Sequence, residues 1–216
     1  MSGKKKTYHI LMGDVIGSSD YDPMKLGRQL KDLVRSANQD LRYNTLSPYV
    51  VTLGDEFQGV TRSLAAGIKT LFFFEEKRLT KGLDFKMQYV LHYGIMETGI
   101  NPESSYGMLG EGLSQARKKL TAKTRGRKRF NFSLGDKQHS EQLNRLFGVL
   151  DGISERWKKA DYGLISDMIQ NDNDREVGKM YDKDRSQIYR RRKTLMTQEY
   201  LLLKEFIFTY INLPLP

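Results

Sequence analysis

Through residues 7–96 the apolar positions switch between two spacings. Thr7 to Met12 is a short apolar run that stops at Gly13-Asp14, the length and content of a buried strand. Leu26, Leu30, Leu33, Val34, Ala37 and Leu41 then recur at helical intervals, which predicts a helix over 25–41. Tyr49, Val50, Val51 and Thr52 form a β-type run that breaks at Gly54-Asp55-Glu56 and resumes from Phe57 to Thr61, a strand–turn–strand hairpin. Leu64, Ile68, Leu71 and Phe72 predict a second helix over 63–79. Over 85–96, Met87, Tyr89, Leu91 and Tyr93 alternate with Gln88, Val90 and His92, the mark of another strand. The order β-α-β-β-α-β predicts a two-layer α+β domain of ferredoxin-like or palm type.

Beyond residue 112 the pattern turns helical. Leu113 to Thr121 is a predicted helix, and residues 129–134 are a predicted short strand. From Glu141 onward, Leu143, Leu146, Phe147, Leu150, Ile153 and Trp157 make one amphipathic stripe, and Leu164, Ile165, Met168 and Ile169 make the next. These shifts divide the chain into an α+β domain over 1–140 and an all-α domain over 141–216.

Charge sharpens that division. Of 36 Lys and Arg and 26 Asp and Glu, residues 1–117 hold 15 and 13, while residues 118–216 hold 21 and 13. Eight of the basic residues fall between Arg117 and Arg129 with no acid among them, and Gly126 within this run suggests a mobile connector. A basic second half points to a polyanionic partner, most simply nucleic acid, and a solvated basic surface is the plainer alternative. The absence of Cys excludes disulfides, thiolate metal sites and a Cys nucleophile, and fits a reducing cytoplasm. No apolar stretch reaches the length of a membrane span, and the basic amino terminus is followed by no apolar signal core.

The candidate chemistry of the first half lies in its acids. Asp14 ends a predicted buried strand, and Asp55 and Glu56 sit at the tip of a hairpin whose strands should lie beside it. Carboxylates converging there repel unless a cation offsets them, and hard oxygen ligands suit Mg²⁺ or Mn²⁺. Gly17, Ser18 and Ser19 offer backbone N–H groups and hydroxyls for phosphate just beyond Asp14. Taken singly, Gly54-Asp55 is also a common hairpin turn and Asp14 a common turn cap. His92, alone on a strand, is given no role.

Asp14-Val15-Ile16-Gly17-Ser18-Ser19, Leu53-Gly54-Asp55-Glu56-Phe57-Gln58-Gly59 and Gly110-Glu111-Gly112-Leu113-Ser114-Gln115-Ala116-Arg117 together resemble the SatD family of bacterial proteins. That resemblance implies a palm domain followed by a helix-turn-helix. More distantly, the first half is similar to the palm-type catalytic domain of nucleotide and diguanylate cyclases. Their pattern implies that Asp14 and Asp55, with Glu56 as the alternative, hold metal ions, and that Arg117 steadies the transferring phosphate of a nucleotide. The cyclases' ribose-binding Asn has Leu113 in its place here, a side chain that cannot donate a hydrogen bond.

In the second half, Arg175 to Tyr181 is short and amphipathic, Asp182-Lys183-Asp184 is a polar break, and Arg185 to Lys193 is a basic helix capped by Asp184. A small residue (Gly178), a tight turn and a polar second helix predict a helix-turn-helix. On that reading Arg185, Ser186 and Gln187 face base edges, and Arg190, Arg191 and Lys193 contact phosphates or bases. The hydrophobic Tyr200–Ile211 stretch packs across the helices or against a second copy in a homodimer. The leading expectation is a DNA-binding regulator whose palm domain senses a nucleotide through a divalent metal. The alternatives are an active metal-dependent cyclase or nucleotidyltransferase, and a plain DNA-binding protein with a dimerising palm.

Overall fold

The computed structural model describes residues 6–122 and 128–212. It has an α+β architecture built on a five-stranded mixed sheet in the order β2-β3-β1-β4-β5. The strands are β1 (Lys6–Val15), β2 (Thr45–Val51), β3 (Glu56–Thr61), β4 (Met87–Met96) and β5 (Phe130–Ser133). Neighbours among the first four are antiparallel, with α1 (Pro23–Asp40) between β1 and β2 and α2 (Leu64–Thr80) between β3 and β4. This is the β-α-β-β-α-β order expected from the periodicity. β5 adds to it in parallel with β4 after a crossover through α3 (Glu111–Thr121).

Strand alternation assigns the two faces. Phe57, Tyr89 and Leu91 point toward α2, where the Phe74 ring lies tilted against Phe57 at 4.6 Å between centroids and stacks with Tyr89 at 6.4 Å. Ile10, Met12, Val60 and Val90 point the other way and pack with Leu113, Ala116 and Leu120 of α3. Each such side chain, fully buried, contributes about 1.5–3 kcal/mol. Two glycines set how closely α3 approaches: a Cβ on Gly94 would lie 2.7 Å from Gly112 Cα, and one on Gly112 would lie 2.9 Å from the Gly94 carbonyl carbon. On β2 the register slips between Ser47 and Val50, and the Asn38 side chain of α1 bonds both the N–H and the C=O of Tyr49 within that irregularity.

The chain divides into two compact units. The first holds residues up to Phe74 together with Phe85–Arg145, and the second holds Glu75–Asp84 together with residues from Leu146 on. The divisions fall inside α2 and inside α4 (Lys137–Ser154), which starts four residues earlier than the apolar stripe suggested because Asp136 caps it by accepting from His139 N–H. The second unit is helical: α5 (Tyr162–Gln170), α6 (Asp174–Met180), α7 (Arg185–Leu195) and α8 (Thr197–Asn212). Its centre holds Trp157, whose indole N–H donates to Leu195 O at 2.8 Å and whose ring lies 5.1 Å from that of Tyr200. The 75–84 segment takes part directly, for Tyr200 and Lys204 both donate to Glu76 Oε1, and Arg78 donates to the Tyr162 hydroxyl. Among the described residues no helix is long and apolar enough to cross a membrane.

Candidate functional site

The antiparallel registers bring three polar residues into one row at the carboxyl end of β1. Asp14 lies opposite Glu56 of β3 on one side and Gln88 of β4 on the other. Directly opposed residues share a face, so all three sit on the α3 side of the sheet. Gln88 Nε2 donates to Asp14 Oδ2 at 2.6 Å. Asp14 therefore belongs to the strand itself rather than to the turn beyond it, and Val15 N–H continues the ladder to Asp55 O at 3.0 Å.

Glu56 is 4% exposed, and two protein groups hold one of its carboxylate oxygens. Arg117 Nη2 donates to Glu56 Oε1 at 2.5 Å, and the Thr52 hydroxyl donates to the same oxygen at 3.0 Å. Arg117 also reaches Gln58 Oε1 at 3.3 Å, while Gln58 Nε2 bonds Ser105 O at 2.7 Å. The repulsion between Asp14 and Glu56, expected to require a cation, is thus offset by a guanidinium on one side and an amide on the other. Arg117, which the cyclase resemblance assigns to the transferring phosphate, is here paired with Glu56 of the hairpin. Leu113, one turn earlier on α3, is 8% exposed and belongs to the apolar cluster under the helix.

Gly17 has a left-handed φ of 65° and opens the one-turn 3-10 helix Ser18–Asp20 immediately after β1, so the Gly17, Ser18 and Ser19 segment follows directly on Asp14. A pocket of about 700 Å³ lies beside this end of the sheet, lined by Thr52, Leu53, Gln58, Tyr106, Leu113 and Arg117 among others. Among the described residues no three His, Cys, Asp or Glu side chains converge to hold a metal ion. Of the three acids the sequence offers for a metal, Asp14 already accepts from Gln88 and Glu56 from Arg117. The sequence alone assigns no role to Thr52, Gln58 or Gln88. The first two lie within or beside the acidic hairpin motif, and Gln88 only becomes legible once the β1–β4 register is known.

His92, buried on β4, bonds Ser133 O through Nδ1 at 3.0 Å, and burial holds its pKa below the ordinary histidine value. Of the basic run from Arg117 to Arg129, Arg129 is itself buried, donating to Met87 O at 3.1 Å with its guanidinium 4.6 Å from the Phe130 ring centre. Lys123, Arg125, Gly126 and Arg127, the centre of the expected connector, lie outside the described residues.

In the second unit, α6 and α7 are joined by a tight turn in which Lys183 N–H donates to Gly178 O at 2.9 Å, and a Cβ on Gly178 would lie 2.4 Å from Lys183 O. Asp184 caps α7, accepting from the Gln187 N–H and the Ser186 hydroxyl, and Gln187 Oε1 accepts in return from Asp184 N–H. These bonds hold the Asp184 pKa below its ordinary value. Ser186 and Gln187 thus turn toward the cap. Arg191 pairs with Asp161, and Lys193 lies 3.8 Å from Glu199, while Arg185 and Arg190 remain exposed. Arg192 is buried and bonds Asp174, Met168 O and Asn171 O.

The family model of the SatD family matches residues 8–202. Among solved structures, the chain is similar to a bacterial light-regulated adenylyl cyclase at 13% identity and a TM-score of 0.42, covering 61% of this chain and 44% of that one. It is also similar to the guanylyl cyclase Cya2, at 14% identity and a TM-score of 0.38, over 61% of this chain and 77% of the other. The guanylyl cyclase domain of the RhoGC fusion protein from the aquatic fungus Blastocladiella emersonii is 14% identical with a TM-score of 0.40, over 66% and 86%. The chain spans less than half the length of the light-regulated cyclase. No curated protein matches.

Proposed function

The chain belongs to the SatD family, and we propose that its first unit binds a nucleoside triphosphate as a divalent-metal complex at the carboxyl end of β1, in a site of the nucleotidyl-transfer type. The observation that carries this reading is the row Glu56–Asp14–Gln88, set beside the acidic hairpin, the segment after β1 and an open pocket. Asp14 and Asp55 would hold Mg²⁺ or Mn²⁺, and such an ion neutralises phosphate charge and polarises the phosphorus under attack. Gly17, Ser18 and Ser19 would meet the phosphates. Arg117 serves the bound nucleotide only by loosening from Glu56, and Leu113 gives the ribose no hydrogen bond. Binding is therefore supported further than rapid cyclisation.

A thermal-shift series with nucleoside triphosphates, with and without Mg²⁺ or Mn²⁺, tests this. At a ligand concentration of about 100 Kd, binding to the native state adds roughly 2.7 kcal/mol. Asp14→Asn keeps an acceptor for Gln88 and should fold, yet should lose the metal-dependent shift. If Asp14→Asn and Asp55→Asn both respond like the wild type, the acids are structural. Pyrophosphate release by the wild type and not by Asp14→Asn identifies turnover.

A second reading concerns duplex DNA at α6 and α7, favoured by the close Gly178–Lys183 turn and the exposed Arg185 and Arg190. Replacing both arginines by Ala should weaken retention of duplex DNA and reduce the slope of log K against log salt by roughly 1 for each phosphate no longer neutralised. Absence of any salt-sensitive retention by the wild type ends this reading.

A further inference from the structure

A second cavity in the first unit, about 620 Å³, opens between the last turn of α3, the starts of β4 and β5, and α4. Lys119 from α3, Lys128 from the segment before β5 and Arg145 from α4 line it. Among the described residues none of the three has an ion-pair partner, and one acid, Glu141, lies on the wall. Val90, Leu120 and Phe130 supply apolar walls. Cations from three separate elements that share a cavity repel one another, and apolar walls strengthen that repulsion by lowering the local dielectric. An anion carrying several charges reverses the sign of the interaction. The cavity also touches Gln88, which is 7% exposed and holds Asp14 with its amide. One side chain therefore separates it from the carboxylate at the centre of the candidate site.

We propose that this cavity binds an oligophosphate group through Lys119, Lys128 and Arg145, with the Gln88 amide on its floor. Two sources share that chemistry, the phosphate tail of a nucleotide and free pyrophosphate or tripolyphosphate. The proposal rests on the nucleotide reading for the first source alone. A single lysine at the last turn of a helix is welcome there without any ligand. The convergence of all three cations is the feature such a structural role leaves unexplained.

The test is isothermal titration of the intact chain with sodium tripolyphosphate, without divalent metal and at low ionic strength, against sodium sulfate of matched ionic strength. Wild-type protein should bind tripolyphosphate at least ten times more tightly than sulfate. Lys119→Gln with Arg145→Gln should remove that preference, whereas Lys25→Gln with Lys31→Gln, equal in charge but placed on α1, should retain it. Equal binding by the wild type and the Lys119/Arg145 variant, or no preference over sulfate, overturns the proposal. Comparing a nucleoside triphosphate with its monophosphate separates the sources. If the triphosphate's advantage disappears in the Lys119/Arg145 variant, the phosphates are the nucleotide's; if only tripolyphosphate binding disappears, the ligand is free oligophosphate. Should tripolyphosphate bind and no nucleotide do so, the nucleotide reading falls and this one stands. Nucleotide binding without tripolyphosphate binding overturns this one and leaves the nucleotide reading in place.

Discussion

At the scale of single residues, the Arg117–Glu56 pair carries a clear expectation. Glu56 is buried while Arg117 is half exposed, so Arg117→Ala leaves a carboxylate without its charged partner. The expected loss is about 1–3 kcal/mol in urea unfolding, and Glu56→Gln in the same background should recover part of it. Equal losses in the single and double variants would show that packing, not charge, is at stake. His9 gives a pH dependence. Burial lowers its pKa to about 4 from the ordinary 6.5, so the folded state resists protonation. The stability this contributes is complete above pH 6.5 and declines as pH falls from 6.5 toward 4. His9→Gln should flatten the thermal-denaturation midpoint across that window, and an unchanged profile would exclude His9 as the cause. The sequence already sets Asp14 and Asp55 at apolar strand ends, but not the pairing of Glu56 with Arg117, which spans 61 residues. Arg192 was harder to read, because a run of Arg190, Arg191 and Arg192 looks uniformly solvated until Ile188, Arg192 and Leu195 are seen to share a buried helix face.

At the scale of elements, the two close glycine contacts decide how neighbours meet. Gly94→Ala would push a methyl against the Gly112 backbone of α3 and against the buried His92 ring, 2.7 and 2.6 Å away. Its expected cost is about 1–3 kcal/mol, read as a lower urea midpoint at unchanged slope. Gly178→Ala should disturb the α6–α7 turn in the same way, seen as faster amide exchange at Lys183. Amide protection equal to the wild type would mean that the turn yields cheaply. Alternation and helical spacing disclosed nearly every element, because each buries one face. They could not disclose the slip in β2 or the parallel pairing of β5, which depend on Asn38 and on a crossover, and neither leaves a local periodic trace.

At the scale of the whole chain, the end of the mixed pattern suggests a boundary near residue 140, whereas the structure divides the chain after Arg145 and puts Glu75–Asp84 in the second unit. Nothing local marks where that segment begins, since α2 continues from Phe74 to Thr80 with unbroken helical spacing. A fragment of residues 141–216 would lack Glu76 and Arg78, and with them the acceptor of Tyr200 and Lys204 and the donor to Tyr162. Its circular dichroism should show a broader melt at a lower temperature than the helical transition of the full chain. A sharp melt at the same temperature would mean that these bonds add little.

That borrowed segment also orders events in time. Glu76 leaves the ribosome well before Tyr200 and Lys204, which bond it from positions 124 and 128 residues later in the chain. At roughly 5–20 residues per second, synthesis leaves Glu75–Asp84 without those partners for several seconds or more. The first unit can gather its strands within that interval, whereas the second completes its centre only when α8 is made. Such distant closures slow folding far more than local ones do. In a newly made chain, the helical unit is the last part to lock, and the part a holding chaperone would find open.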